Sequence, residues 1–278
     1  MNKLFFSFLL FCFFSSIHAQ SLDVATYNIR FDNRNDSLDL WENRFNTIAD
    51  MIRFYNFDIF GTQEGLKHQL EDLKLKLGKY DYIGVGRDDG KEAGEYAAIF
   101  YKSSKYKLEK KGNFWLSTIT DTPNKGWDAA LPRICSWGKF TDKSKNFTFY
   151  FFNVHFDHIG VVARLESSKL ILAKIKEIAG KVPVILTGDF NVDETNESYY
   201  ILKNSEILQD AFDVAAVKLV PNGTFNSFNV NSKPVGRIDH IFLSKNFEVS
   251  RYGILTNTYN GRYPSDHFPV MVKVEYKK

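Results

Sequence analysis

Polar side chains that a protein core does not need stand where several apolar segments of this sequence end. They are carboxylates, amides and histidines: Asn28, Glu64, His155, Asp189, Asn191, Asp239, Asp266 and His267. The strand ends of a layered α/β protein meet at one rim, where binding sites are usually built, so we expect these side chains to lie together. Singly, each has a structural interpretation as a turn residue, a helix cap or a buried histidine.

Oxygen donors without a cysteine cluster favour a hard divalent cation, Mg²⁺, with Mn²⁺ or Ca²⁺ as alternatives, whereas zinc prefers nitrogen and sulfur ligands. A hard cation beside histidines suits the attack of water on a phosphoester. The ion neutralises the phosphoryl oxygens, a carboxylate aligns or deprotonates water, and a histidine supports the phosphorus. Asp239, if it reaches His267, would fix the tautomer of that ring.

The elements that must position these residues follow from hydrophobic periodicity. Strands are predicted over residues 22–31, 58–64, 183–186, 236–243, 247–255 and 268–276, with a series of short antiparallel strands from 80 to 154. Helices are predicted over 41–55, 66–77, 161–179 and 196–204. This alternation predicts an α/β fold in which two mainly antiparallel sheets pack face to face with helices outside, as one domain over 20–278.

The first nineteen residues are predicted to be a cleavable signal peptide. Lys3 precedes an unbroken apolar run from Leu4 to Phe14, and Ala19 ends a plausible cleavage site. The run is too short to span a bilayer, although an uncleaved anchor is the alternative. We therefore expect a secreted or periplasmic protein without stable membrane insertion. Cys135 alone would remain, which excludes an intramolecular disulfide.

The composition of the 278 residues, 25% charged and 44% hydrophobic, excludes a disordered chain and a coiled coil. The formal charge of +3 becomes +2 when Lys3 is removed with the signal peptide, which is unlike a dedicated DNA-binding surface. Five lysines between Lys102 and Lys111 are interpreted as a solvated hairpin rather than a nucleic-acid track. Arg30 and Arg87 are interpreted as ordinary surface arginines.

Six motifs, in this order, resemble the endonuclease/exonuclease/phosphatase superfamily: TYNIR, GTQE, NVHFDH, TGDFN, GRIDHIF and SDHFPV. The resemblance runs from about residue 22 to residue 276, and it implies a four-layered α/β sandwich. It also implies a metal-dependent phosphoric ester hydrolase. Abasic-site enzymes of the family carry an aspartate two residues after the first asparagine, where this chain has Arg30, and this departure weakens a DNA-repair interpretation.

The resemblance implies a role for each matched residue. Asn28, Glu64 and Asp266 resemble the metal ligands, and Asp189 and Asn191 the pair that orients the attacking water. His155 resembles a phosphate-contacting histidine, His267 the essential histidine at the scissile phosphate, and Asp239 its carboxylate partner. Whether Asp189 or His267 is the general base stays open.

Substrate choice is expected to depend on the segment from Gly84 to Arg133 and on the element that follows. Arg133, His158 and Arg164 are predicted to bind the substrate, since guanidinium groups bind phosphate oxygens bidentately. We expect a monomeric phosphodiesterase or nuclease-like enzyme. The alternatives are a hydrolase of phospholipid or sugar-phosphate head groups, and a catalytically silent binding protein on the same scaffold.

Overall fold

The computed structural model describes residues 20–144, 147–220 and 222–276, so the predicted signal peptide lies outside the described residues. The strands, in chain order, are β1 Gln20–Asn28, β2 Ile59–Gln63, β3 Tyr80–Ile83, β4 Ala98–Lys102, β5 Tyr106–Trp115, β6 Ile134–Asp142, β7 Phe147–His155, β8 Val184–Asp189, β9 Gln209–Asp210, β10 Val217–Leu219, β11 Asp239–Leu243, β12 Phe247–Ile254 and β13 Val270–Tyr276. They form a seven-stranded sheet, β10-β12-β13-β1-β2-β4-β3, and a six-stranded sheet, β5-β6-β7-β8-β11-β9.

The helices are α1 Trp41–Phe54, α2 Lys67–Leu77, α3 Val161–Ala179, α4 Glu197–Lys203 and α5 Ala211–Val214, with a 3-10 segment at Arg34–Asp39. The predicted helices are present to within a residue at each end. The predicted first strand ends early, at Asn28, because Arg30 has a left-handed backbone. The predicted last strand begins late, at Val270, since Pro269 has no N–H for the sheet. The short elements β9, β10 and α5 were not predicted.

Alternation along each strand divides the interior into separate cores. In β1, Leu22 and Val24 belong to a core between the two sheets, whereas Ala25 and Tyr27 pack under α1 and α2. In β7, Phe149 and Phe151 face the other sheet, and their neighbours pack under α3 and α4. The layers are therefore helices, sheet, sheet and helices, which confirms the predicted four-layered sandwich. The strand with Phe147–Phe152 is a core strand.

The strand pairing brings the predicted site residues to one rim. β1 and β2 run parallel, with Asn28 opposite Gln63, and β7 and β8 run parallel, with His155 opposite Asp189. β11 is antiparallel to β8 and begins at Asp239, opposite Asp189. Residues that end one strand and begin another therefore meet at the same edge of the sandwich.

The lysine-rich segment is not the hairpin that the sequence predicts, because β4 and β5 belong to different sheets. Lys102 ends β4 in the seven-stranded sheet, and the chain then turns into β5 of the six-stranded sheet, which pairs with β6. Lys102 Nζ lies 2.9 Å from Asp58 Oδ1, and Lys105 Nζ lies 2.6 Å from Asp58 Oδ2. Two of the five lysines therefore tie this crossover turn to the residue that precedes β2 and are not free for a polyanion. None of the helices in the described ranges combines the length and the apolar composition that a bilayer crossing requires.

Candidate active site

Three residues of the rim have left-handed backbones, which non-glycine residues rarely adopt. The φ angles are 56° at Arg30, 67° at Glu64 and 51° at Asn191. Each follows the end of a strand, so the chain turns sharply and holds its side chain at the edge of the sheet. Such conformations cost about 1–3 kcal/mol each and persist where the surrounding structure enforces them, often at functional sites.

Asp189 lies at the centre of the site. Its Oδ2 accepts a hydrogen bond from Asn28 Nδ2 at 3.0 Å, and its Oδ1 accepts one from the backbone N–H of Asn191 at 2.9 Å. Burial, reinforced by Asp239, raises the pKa of Asp189. A carboxylate with a raised pKa is better matched to accepting a proton from water than an ordinary aspartate.

His267 and Asp239 make the contact that the sequence suggested. His267 Nδ1 lies 2.9 Å from Asp239 Oδ2, and Nε2 faces Asp189 Oδ2 at 3.8 Å. Burial opposes the charged form of His267, but the carboxylates of Asp239 and Asp189 outweigh it and raise the pKa of His267 well above its usual range. His267 therefore presents a positively charged ring to the rim.

His155 differs from His267 in charge. Its Nε2 lies 3.6 Å from Asp189 Oδ2, and its Nδ1 lies 3.6 Å from Glu95 Oε2. Burial, together with the neighbouring charge of Arg133, lowers the pKa of His155 to about 3, so the ring is neutral near pH 7. One cationic and one neutral histidine thus flank the same aspartate.

Glu64, Asp189 and His267 are close enough to hold a metal ion, with His267 as a ligand only when its ring is neutral. Each offers one ligand atom, and these atoms lie within 4.8 Å of one another. Two carboxylates in a three-ligand set fit a hard divalent cation that keeps water in its other positions. Glu64 Oε2 also accepts a hydrogen bond from the backbone N–H of Phe31 at 3.2 Å, which orients the carboxylate. The N-cap of α2 is Leu66, so Glu64 is not the cap of that helix.

The other two predicted ligands are placed differently. Asn28 Nδ2 donates a hydrogen bond to Glu64 Oε1 at 3.0 Å, and Asn28 Oδ1 accepts one from the Arg30 N–H. The amide would therefore have to rotate before its oxygen could ligate an ion. Asp266 is not in the three-residue group, and its Oδ2 lies 3.8 Å from Arg30 Nε. Burial raises the pKa of Asp266 to about 6. The ligand roles of Asn28 and Asp266 stay predictions.

Of the predicted substrate-binding residues, Arg133 and His158 line the cavity and Arg164 does not. Arg133 Nη2 donates to His158 Nδ1 at 2.9 Å, and its Nε donates to Asp157 Oδ2 at 3.2 Å. Arg133 Nη1 is buried and has no hydrogen-bond partner among the described residues. Arg164 Nη1 donates to the carbonyl of Asp157 at 3.0 Å and therefore supports the loop from outside the cavity.

A cavity of about 440 Å³ opens at this rim. Its polar lining residues are Arg30, Glu64, Glu95, Arg133, His155, His158, Asp189, Asn191, Asp266 and His267. Its apolar lining residues are Phe31, Leu131, Phe225 and Ile238. A charged, hydrogen-bonding set beside four apolar side chains suits a ligand that has an anionic group attached to a compact organic body.

Beneath the site, Asn153 connects the two sheets. It is fully buried, and its Nδ2 donates to the carbonyls of Thr62 and Ala98 at 2.8 and 2.9 Å. Its Oδ1 accepts from Gln63 Nε2 at 2.7 Å and from Thr187 Oγ1 at 2.9 Å. One side chain in the six-stranded sheet thus binds residues of both sheets.

We call Thr26, Gln63, Asn153 and Thr187 the inter-sheet polar cluster. Its members precede Asn28, Glu64, His155 and Asp189 by one or two residues. Gly61 makes room for the cluster, since a Cβ there would lie 2.1 Å from Asn153 Oδ1. The cluster therefore connects the strand ends that carry the candidate catalytic side chains.

Two residues were interpreted wrongly from the sequence. Arg30 lines the cavity, and Arg87 is buried with Nη1 and Nη2 at 2.6 and 2.8 Å from the two oxygens of Glu95. Glu95, which the sequence analysis did not single out, in turn faces His155. The only sequence signal was the opposite charge eight residues apart in a loop-rich segment.

Comparison with known proteins identifies relatives. A model of the Endonuclease/Exonuclease/phosphatase family matches residues 25–267. A crystal structure of a family protein from Bacteroides thetaiotaomicron is 51% identical, covers 94% of this chain and 99% of that chain, and has a TM-score of 0.92. A mannosyl-6-phosphatase of Bacteroides thetaiotaomicron VPI-5482 is 52% identical, with 92% of this chain and 100% of that chain covered and a TM-score of 0.90. An uncharacterized protein of Acanthamoeba polyphaga mimivirus is 29% identical over 254 residues, which is 84% of this chain and 92% of that protein.

The family match spans most of the chain and includes the strand ends that build the rim. Members of this family are divalent-metal-dependent phosphoester hydrolases, and the group of Glu64, Asp189 and His267 could bind such an ion. The chain therefore belongs to the endonuclease/exonuclease/phosphatase family and is a phosphoric ester hydrolase.

Proposed function

We propose that the protein is an exported, Mg²⁺-type phosphatase that removes the phosphate group from a phosphorylated sugar, with mannose 6-phosphate groups as the first candidate substrate. The observation that carries the proposal is the 52% identity to a mannosyl-6-phosphatase over 92% of this chain. We therefore favour a sugar phosphate as the substrate over the nucleic acid or phosphodiester that the sequence alone led us to expect.

The cavity supports a compact substrate. Its charged residues suit a phosphate group, and Phe31, Leu131, Phe225 and Ile238 suit the less polar faces of a sugar ring. The lysine-rich segment offers a nucleic acid fewer free charges than its five lysines suggest, because Lys102 and Lys105 are engaged by Asp58. Export rests on the predicted signal peptide at residues 1–19, and the catalytic unit is proposed to be one domain over 20–278.

Each residue of the candidate active site has a separate role in the proposed reaction. A bound divalent ion would neutralise charge on the phosphoryl oxygens, and the carboxylates of Glu64 and Asp189 would hold it, because the protonated ring of His267 has no free lone pair for a metal. Asp189, with its raised pKa, is suited to aligning water and accepting its proton. The cationic ring of His267 stabilises the negative charge that develops on the phosphoryl group.

Further donors would orient the phosphate. Arg133 Nη1 is buried at the cavity without a partner among the described residues, which leaves it available to a phosphoryl oxygen. Neutral His155 offers a donor without adding charge, and Asn191 is held beside Asp189 by its own backbone N–H.

The test is a substrate panel measured under one metal condition. Mannose 6-phosphate, glucose 6-phosphate, mannose 1-phosphate, DNA, RNA and sphingomyelin are compared with added Mg²⁺, Mn²⁺ or Ca²⁺. We expect release of inorganic phosphate from the sugar 6-phosphates, full loss with EDTA and recovery with excess Mg²⁺.

Single substitutions test whether the reaction takes place at this site. His267→Ala and Asp189→Asn should each lower the rate at least ~10²-fold, the low end for a positioned acid–base group. Leu75→Ala, at a side chain that is 86% exposed on α2, serves as the control with full activity. Faster cleavage of DNA or RNA than of any sugar phosphate, or turnover that persists in EDTA, would show the proposal to be wrong.

A further inference from the structure

Neighbouring residues hold the backbone and the side chain of Arg30 in place at the rim. It follows Asn28 by two residues, has a left-handed backbone with φ of 56°, and donates its N–H to Asn28 Oδ1 at 3.0 Å. Its side chain is 23% exposed and lines the cavity. The same asparagine that contacts Glu64 and Asp189 therefore also positions the Arg30 backbone.

Three carboxylates surround the guanidinium group of Arg30. Nε and Nη2 donate to the two oxygens of Asp36, each at 3.0 Å. Nη1 lies 3.8 Å from Glu64 Oε2, and Nε lies 3.8 Å from Asp266 Oδ2. The group also lies 4.4 Å from the centroid of the Phe31 ring. Because a guanidinium does not deprotonate in proteins, Arg30 is a permanent positive charge in a held orientation.

This arrangement leaves Nη1 of Arg30 available to a ligand. Asp36 occupies the edge of the guanidinium formed by Nε and Nη2, whereas Nη1 lies on the side of Glu64. A phosphate monoester presents three terminal oxygens and a charge near −2 at neutral pH. A diester presents two terminal oxygens and one charge, and it carries a second organic group where the monoester has its third oxygen.

We propose that Arg30 is a specificity-determining residue that binds the terminal oxygen found only in a monoester, and so makes this site a monoesterase. The inference rests on the proposed function, because it places the phosphorus beside Glu64, Asp189 and His267. A cation at this wall attracts the more highly charged substrate, and the second organic group of a diester would desolvate the guanidinium without replacing its hydrogen bonds.

The first experiment compares two substrates that share a leaving group, p-nitrophenyl phosphate and bis(p-nitrophenyl) phosphate. The measured quantity is the ratio of kcat/KM for the monoester to kcat/KM for the diester. The variants are Arg30→Gln, which removes the charge, and Arg30→Lys, which keeps the charge but loses the forked contact with Asp36. Arg53→Gln is the matched control, since Arg53 pairs with Asp50 on an exposed face of α1.

We expect Arg30→Gln to lower the ratio at least ~10-fold, the loss expected when a charged hydrogen bond is removed. Arg30→Lys should fall between Arg30→Gln and the wild type, and Arg53→Gln should equal the wild type. The ratio does not depend on the folded fraction of a sample, so partial unfolding of a variant leaves the test valid.

A second readout needs no turnover. Calorimetric titration of the metal-free protein with Mn²⁺ should show several-fold tighter binding for Arg30→Gln than for the wild type, because a positive charge beside Glu64 and Asp266 repels a cation. Arg53→Gln should bind Mn²⁺ as the wild type does.

Two results would overturn the inference. If Arg30→Gln lowers both rates equally, the residue only supports the structure, and unchanged Mn²⁺ affinity would remove it from the surroundings of the ion. Failure of the proposed function is distinct, since a wild-type enzyme that hydrolyses no sugar phosphate contradicts that function whatever the p-nitrophenyl ratio shows.

Discussion

Strand β7 runs between two regions of the interior that are built from different side chains. Near its start, Phe147 lies 4.2 Å from Tyr276 and Phe149 lies 5.7 and 5.9 Å from Tyr106 and Phe140, measured between ring centroids. We call these five residues the aromatic end. Six residues after Phe147, Asn153 belongs to the inter-sheet polar cluster, and the strand then ends at His155 in the candidate site.

The difference follows from the physics of the two kinds of contact. The free energy gained by apolar burial is roughly proportional to the buried area and depends little on direction. The aromatic end therefore stabilises the sandwich but does not prevent small displacements of one sheet relative to the other. Hydrogen bonds of a fully buried amide are directional, and leaving one unmade is costly. The aromatic end therefore contributes stability, and the inter-sheet polar cluster sets the relative positions of the strand ends that carry Glu64 and Asp189.

The largest effect on stability is expected at the aromatic end. Phe149→Ala should lower the free energy of unfolding by about 3–5 kcal/mol, because a fully buried ring is replaced by a cavity. Urea denaturation measures the loss, and kcat per folded molecule should stay near the wild-type value. Phe54→Ala, at a ring that is 81% exposed, is the control and should change stability little. A large fall in kcat for folded Phe149→Ala would contradict the division between the two regions.

A substitution in the inter-sheet polar cluster should lower kcat strongly and stability only moderately. Asn153→Leu leaves Gln63 and Thr187 without their shared acceptor and should lower stability by about 2 kcal/mol. We expect kcat at saturating metal to fall by roughly 10- to 100-fold, since a displacement near 1 Å between catalytic groups has effects of that size. Thr187→Val, which removes one of the two hydrogen bonds to Asn153 Oδ1, should have a smaller effect on both quantities. Full activity in Asn153→Leu would show that the cluster only fills space.

The smallest effect is expected at Asp58, which precedes β2 at the end opposite Glu64. Burial opposes ionisation of Asp58, but hydrogen bonds from Lys105 and Lys102 outweigh it and hold the pKa of the carboxyl below its usual range. The stabilisation is therefore complete above the unfolded-state pKa, near 3.9, and is lost as the pH falls through the lower folded-state pKa. Asp58→Asn should lower stability by about 1–2 kcal/mol between pH 7 and about pH 5, and by progressively less below about pH 4, with kcat unchanged. A pH-independent loss measured by thermal or urea unfolding would contradict this assignment.

Much of the fold could be predicted because its signals are local. The helical spacing of Ile48 and Ile52, and the alternation of Leu22 and Val24 with Ala25 and Tyr27, each depend on residues close in the chain. The placement of the site could be predicted for a related reason. Polar residues at the ends of apolar strands have few structural uses, and the layered fold brings such ends to one rim.

Arg30, Arg87 and Glu95 could not be interpreted in this way. Arg30 follows a strand end and reads as a surface residue, but a left-handed turn directs its guanidinium into the cavity. Arg87 and Glu95 lie in a loop that is held by backbone hydrogen bonds between its own two arms, including one from the Arg87 N–H to the Glu95 carbonyl at 3.1 Å, and such pairing has no hydrophobic periodicity to predict it. Asn153 was part of a recognised motif, yet its contact with Gln63 joins residues 90 positions apart.

The family, the two sheets with their outer helices, and the residue types that meet at the rim follow from the amino-acid sequence, because hydrophobic periodicity and the order of short motifs are properties of neighbouring residues. Which of those residues touch depends on the folded structure. It placed Glu64, Asp189 and His267 close enough to share an ion, turned the Asn28 amide nitrogen towards the carboxylates, and set Arg30 against Asp36. Such contacts depend on distances of a few ångströms between strands far apart in the chain, which are set by packing and directional hydrogen bonds.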